Sequence, residues 1–273
     1  MSTATLEKAQ TVFRRTNAHI GRKLSVTPAN SAMRALSYGR IVLDASTPAV
    51  AFGTEGDEVA LIGLGGQATV RVDGQPYAIG TFDTLYVPRG HQVEVTTDSA
   101  CDIAECRAPI TGTYPLQYIR YADVEANPGL KFQAGEPGAR RTLNILVGKN
   151  VEAGRLMAGV TWSEAGNWTS WPPHEHEALA EELYVYFDMP PGVFGLQMVY
   201  TDSLEPERVE MVRDGDAVLM PKGYHPNVAI PGQSIKFLWV MAAHRETEDR
   251  LFGVVNVHPD FAQAKSGLEA GRK

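Results

Sequence analysis

Apolar and polar positions alternate in short runs along most of the chain, with the period of two that marks half-buried strands. Ala68-Thr-Val-Arg-Val-Asp73 alternates, Gly74 breaks the run, and a new one begins at Tyr77. Strand, Asp-Gly, strand is the order that predicts a tight hairpin. Runs of β-branched, aromatic and other apolar residues at 183–187, 195–200, 217–220 and 235–240 predict further strands. Most of the 26 glycines and 17 prolines fall between such runs, where turns are expected. Helical patterning is confined to residues 2–15 and 260–271. The fold class is therefore all-β, a sandwich or barrel with short terminal helices.

An internal repeat divides the chain. Asp83-Thr-Leu-Tyr-Val-Pro-Arg-Gly-His91 returns as Asp216-Ala-Val-Leu-Met-Pro-Lys-Gly-Tyr-His225. Each copy has an acid, four strand residues, Pro-basic-Gly and a closing histidine. A strand ending in Pro-basic-Gly resembles the signature of the cupin barrel, a double-stranded β-helix. Two copies half a chain apart predict two barrels, a bicupin. The Gly/Pro-rich stretch 128–140 is the natural boundary, giving an N-terminal barrel over 1–135 and a C-terminal barrel over 136–273.

Bulk properties narrow the partners. A net charge of −7 and 21% charged residues suit a globular protein and argue against nucleic acid or an anionic membrane. Any anionic ligand must be held by a few local Arg or Lys side chains. Cys101 and Cys106 fit no redox or zinc pair and read as buried thiols. No signal-peptide core and no run of about 18 apolar residues is present, so the expectation is cytoplasmic.

The candidate chemistry is a metal site. Residues i and i+2 of a strand point the same way, so His174 and His176 can reach one ion. Pro172 and Pro173 stiffen the approach. A carboxylate should follow within one strand, and Glu181 and Glu182 are both available. Alternation places Glu182, Tyr184 and Tyr186 on one face and Leu183, Val185 and Phe187 on the other, which favours Glu182. Glu181 stays open because it sits nearer the spacing common in cupins. His225, at the end of the second repeat, is the fourth ligand. One carboxylate and three imidazoles suit zinc, manganese, iron or nickel. A His-x-His pair alone can equally be a solvated loop; the carboxylate and the repeat histidine tip the balance. The first barrel has Gly53-Thr-Glu-Gly-Asp57 at the corresponding place, without histidine, so His91 is expected at a surface or interface. His19, His244 and His258 lack ligand spacing, although His244 could line the barrel mouth. Lys222 and Tyr224 flank the last ligand, as turn residues or as substrate contacts.

Several segments resemble one family. Arg140-Arg-Thr-Leu-Asn144, Gly166-Asn-Trp-Thr-Ser-Trp-Pro-Pro-His-Glu-His176, Glu181-Glu-Leu-Tyr184, Gln197-Met-Val-Tyr-Thr201 and Pro221-Lys-Gly-Tyr-His-Pro226 are similar to the family of 5-keto-4-deoxyuronate isomerase and 5-deoxyglucuronate isomerase. The resemblance implies a bicupin ketol isomerase with one divalent metal per chain, held by His174, His176, Glu182 and His225, and so supports Glu182. It implies a sugar-acid substrate. The second barrel favours 5-deoxyglucuronate, an intermediate of inositol catabolism; the first looks more like the ketodeoxyuronate enzyme. Another aldose with an acidic C6 group also fits. Residues 248–258 depart from both branches. In this reading Glu182, Tyr184 and Lys222 are catalytic, with Glu181 and Tyr186 also open as the proton-shuttling base. Arg141, Tyr186, Gln197, Tyr224 and Arg245 contact substrate. A homo-oligomer, from dimer to hexamer, is expected. The rivals are an iron-dependent cupin dioxygenase and a non-enzymatic sugar-binding cupin.

Overall fold

The computed structural model describes residues 10–201 and 208–264. A six-stranded sheet is ordered Gln117–Ile119, Thr84–Val87, Asp57–Gly66, Cys101–Pro109, Ser37–Leu43, Gly21–Val26. It closes over a four-stranded sheet of Ala49–Gly53, Gln92–Thr96, Ala68–Val72 and Gln75–Ile79. Ile41, Leu61 and Leu85 from the first meet Val70, Val93 and Val95 from the second inside this barrel. The predicted hairpin is there: Val72 pairs with Gln75, and Asp73 and Gly74 both take positive φ, 48° and 87°, as a primed two-residue turn requires.

The second barrel repeats the plan. Its seven-stranded sheet is ordered Val12–Phe13, Ala217–Met220, Ala180–Tyr186, Lys236–Ala243, Leu156–Ser163, Arg141–Val147, Lys131–Ala134. Opposite lies a sheet of Trp168–Thr169, Asn227–Ala229, Gly195–Val199 and Arg208–Val212. The two large sheets pack back to back, Tyr38, Ile62 and Tyr86 against Leu183, Leu219 and Val240. Their strands are thus covered on both faces, one by the barrel lumen and one by the other barrel. This is why 236–243 reads as almost unbroken apolar sequence. Each such buried side chain contributes about 1.5–3 kcal/mol.

The chain does not split cleanly at 135/136, because two strands of the first half belong to the second barrel's large sheet. Val12–Phe13 pairs with Ala217–Met220 of the second barrel, and Gln117–Ile119 pairs with Thr84–Val87 of the first. Lys131–Ala134 also belongs to the second barrel's sheet. The repeat aspartates hold the chain next to the edge strands. Asp216 accepts from the Arg15 and Arg213 N–H groups at 3.0 Å each; Asp83 accepts from Tyr121 N at 2.8 Å and Gly80 N at 3.0 Å. The acid that opens each repeat therefore clasps the chain beside its sheet's edge strand, and at Asp216 that strand comes from the first half.

The helix expected over 2–15 is a strand in its described part, since its backbone completes a sheet edge. At the other end Pro259–Phe261 forms one 3₁₀ turn. Residues 2–9 and 265–271 of the expected helices lie outside the described residues. The α-helix of the described residues is Tyr121–Ala126, in the connection between barrels, burying Val124.

Candidate metal centre and its cavity

His174, His176, Glu182 and His225 meet inside the second barrel, each at most 8% exposed. Candidate ligand atoms of His176, Glu182 and His225 all lie within 4.8 Å of one another. His176 Nε2 is 3.0 Å and His225 Nε2 3.1 Å from the same oxygen, Glu182 Oε2. The His174 ring stands beside them, its centroid 4.9 Å from that of His225 and 6.5 Å from that of His176.

Local structure aims the rings. His174 Nδ1 is 2.9 Å from Pro172 O, His176 Nδ1 3.1 Å from Ala180 O, and His225 Nδ1 2.9 Å from Gly223 O. A carbonyl only accepts, so Nδ1 carries the proton in each ring and Nε2 is left for the centre. Gly223 sits at φ 91°, and a Cβ there would come 2.8 Å from Tyr200 O, so the turn that delivers His225 needs glycine. From the other side Gln197 Nε2 donates to His225 O at 2.9 Å. Tyr186 donates to Gln197 Oε1 at 2.6 Å and accepts from Asn227 Nδ2 at 2.8 Å.

The residues fit a divalent ion. His225 Nε2 is buried without a hydrogen-bond partner, despite its closeness to Glu182. A buried orphan nitrogen is costly unless something binds it. Oxygen and nitrogen atoms about 3 Å apart can be spanned by one ion at about 2.1 Å from each. Burial lowers the His174 pKa to about 3, helped by His225 alongside, so that ring is neutral and able to ligate. Burial works against charge on Glu182, but the His176 and His225 rings beside it outweigh that and hold the carboxyl down at about 2. Burial also opposes a charged His176, and Glu182 more than offsets it, so the His176 pKa is raised.

The strand register settles which way the neighbouring glutamate points. Glu182 faces the lumen, while Glu181 faces the other barrel, where its carboxylate accepts from Arg34 N (2.7 Å), Ala35 N (2.8 Å) and Leu36 N (2.7 Å). The first barrel mirrors this. Glu58 accepts from Gly154 N, Arg155 N and Leu156 N at 2.6–2.7 Å. Val59 pairs with Val87 as Glu182 pairs with Met220, so Val59 stands where the second barrel has its carboxylate. That barrel mouth is instead filled by Glu105 bridging Arg22 and Arg107, with Arg107 also on Asp57. His91 lies partly exposed, 2.6 Å from Asp73.

A cleft of about 550 Å³, partly open to solvent, adjoins the four residues. His174, His176 and Glu182 line it together with Arg141, Tyr184, Ser170, Thr161, Trp239 and Phe252. Arg141 is 3% exposed and donates to Ala139 O at 3.1 Å. Tyr184 hydrogen-bonds Ser170 at 2.7 Å, and its pKa is raised well above the usual value by burial and by Glu182. The other expected contacts fall elsewhere. Tyr186 and Gln197 are buried beneath the His225 turn and steady it rather than line the cleft. Lys222 is exposed on the turn, outside the lining. Tyr224 packs against Tyr200 and His258, with centroids 5.5 and 4.7 Å away. Arg245 points to solvent, paired with Glu248 and Asp249. His244 Nε2 is 2.9 Å from Glu177 O and is also absent from the lining.

Sequence reasoning passed over Trp239, although it shares parity with Phe237 and Met241 along one strand, and all three line the cleft. Trp239 stacks on Phe252 at 5.3 Å and 21°. Phe252, Gly253 and Val255 complete the lining from a segment with no periodicity to reveal them. Ser170 carried no signal either.

Among the described residues, no helix is long and apolar enough to cross a membrane. The chain is 36% identical over 166 residues to a protein of Geobacillus kaustophilus named 5-deoxy-glucuronate isomerase, and the alignment spans 58% of each chain. It superposes on the structure of an IolB-like protein from Salmonella typhimurium LT2 with a TM-score of 0.82, at 24% identity, covering 93% of this chain and 99% of that one. A cupin 2 conserved barrel domain protein from Leptotrichia buccalis gives a TM-score of 0.52 at 14% identity, covering 86% and 97%. These likenesses agree with a two-barrel cupin fold. Residues 11–258 match the model of one family, and the chain is thereby a member of the KduI/IolB family.

Proposed function

We propose that the protein is a metal-dependent ketol isomerase of a sugar acid, with one divalent ion held by His174, His176, Glu182 and His225. One observation carries this reading. His174, His176, Glu182 and the buried Arg141 line the same cleft, so an ion site and a carboxylate anchor face one space. Resemblance to proteins named 5-deoxy-glucuronate isomerase supports 5-deoxyglucuronate as the substrate, which would place the reaction in inositol catabolism. 5-Keto-4-deoxyuronate is the alternative.

Bound at this centre, a divalent ion supplies electrophilic stabilisation of negative charge developing on the substrate oxygens. Arg141 takes the substrate carboxylate, where a guanidinium offers two parallel donors. The paired hydroxyls of Tyr184 and Ser170 donate to sugar oxygens. Trp239 and Phe252 exclude water and cover the apolar carbon. A panel of uronates and deoxy sugar acids, followed by NMR with metal-loaded protein, tests the reading. The expected outcome is aldose-to-ketose conversion of a sugar acid with no oxygen uptake, lost on metal removal and regained with a divalent ion. Metal content should fall in His176→Ala and stay at one ion per chain in His91→Ala. Stoichiometric oxygen consumption moves the protein to the dioxygenases. Full activity after verified metal removal discards the mechanism.

A further inference from the structure

His258 has no ligand spacing and is outside the lining of the cleft beside the metal centre, yet it touches the residue before each of two proposed ligands. Its backbone N–H donates to Pro173 O at 2.9 Å, and Pro173 precedes His174. Its ring lies 4.7 Å from that of Tyr224, edge to face at 66°, and Tyr224 precedes His225. Asp260 N donates to His258 Nδ1 at 3.2 Å, which fixes the ring plane. Around it the Asn256–Val257 strand pairs with His174–Glu175, with Val257 opposite His174. Phe261 packs on His258, 5.6 Å away, and on Trp171 of the His174 loop, 5.0 Å away.

The loop carrying His174 needs such support. Pro172 and Pro173 have no N–H to donate, and the His174–Glu175 strand is two residues long. Its strand pairing comes from Asn256–Val257, and Phe261 packs on Trp171. We propose that this segment is a clamp, with His258 as the positioning residue, that holds the His174 loop and the His225 turn at the separation an ion requires. The inference rests on the metal reading above and concerns how the ligands are held, not which they are.

Groups that orient metal ligands typically contribute 10–100-fold to metal affinity. Zinc affinity, measured by competition with a fluorescent chelator, should therefore weaken about tenfold or more in His258→Ala and in Phe261→Ala. The metal-free melting temperature should stay within about 4 °C of wild type, which for a chain this size corresponds to roughly 1 kcal/mol. His258→Phe keeps a ring against Tyr224 and the backbone N–H, so it should restore affinity to within about threefold, less than 1 kcal/mol. Wild-type affinity in both alanine variants overturns the clamp while leaving the metal site standing. So does a loss that His258→Phe fails to restore, or one that accompanies collapse of the metal-free fold. A wild-type chain that binds no zinc overturns the metal reading, and the clamp with it.

Discussion

Glu181 and Glu182 are adjacent in sequence and opposite in role, and replacing Glu181 separates the two experimentally. Its carboxylate is 1% exposed and accepts three backbone N–H groups, two on Oε1 and one on Oε2. Hydrogen bonds to a charged acceptor contribute about 1.5–3 kcal/mol each, some 5–9 kcal/mol in all, before the cost of keeping a carboxylate out of water. That desolvation takes back several kcal/mol. Glu181→Ala leaves three buried donors of the 34–36 segment without an acceptor, for a net loss of about 3–5 kcal/mol. Glu181→Gln keeps the oxygen facing Ala35 and Leu36 but turns a donor toward Arg34 N, and should cost about 1–3 kcal/mol. Urea unfolding of the metal-free protein reads both. Zinc affinity should be unchanged, because the side chain points away from the histidines. A loss below about 1 kcal/mol in Glu181→Ala would refute the accounting. Zinc affinity that collapses in Glu181→Gln and survives in Glu182→Gln would reverse the assignment.

Two further outcomes follow from the same geometry. His174 is neutral when buried, with its pKa lowered to about 3, so its share of stability is present above the unfolded value of 6.5 and is lost as pH falls toward 3. The metal-free wild type should therefore lose up to about 1.4 kcal/mol per pH unit across that window relative to His174→Phe; parallel urea-unfolding profiles would sink the argument. Gly159 lies under the Trp239 ring, and a methyl there overlaps both the indole and the Asn144 carbonyl oxygen. Gly159→Ala should cost about 1–3 kcal/mol and push Trp239 into the cleft, weakening sugar-acid binding by calorimetry; unchanged stability and binding together would show the indole has room to move.

What the sequence revealed depended on how local the determinant was. The lumen face of Glu182, Tyr184 and Tyr186 was legible because strand parity is a property of the strand alone. The repeat located two equivalent turns, and the absence of histidine near Gly53 matched a barrel mouth filled by Arg22, Glu105 and Arg107. Roles set by distant chain were not legible. Lys222 and Arg245 look suited to an anionic ligand, but only the folded turn and the acids at 248 and 249 decide that they face outward. Residues 12–13 carry a pattern compatible with a helix, and the sheet edge that makes them a strand lies about 200 positions away. The second role of the repeat aspartates, as clasps beside the edge strands, was equally hidden.

The pairing of Val12 with Val218 bears on how the protein is made, because Val12 is synthesised about 200 residues before its partner strand and must wait for it. Gln117–Ile119, by contrast, docks on Thr84–Val87 soon after it emerges. The first barrel can close during synthesis, whereas the second stays open along the edge at Ala217–Met220 until the N-terminal segment returns to cover it. Closing so long a loop is entropically unfavourable and slow, and an unpaired edge invites pairing with another nascent chain. Fusing a bulky partner directly before Gln10 should therefore lower the yield of assembled protein more than the same fusion after residue 264, because it obstructs the last step of folding rather than any part of the finished surface.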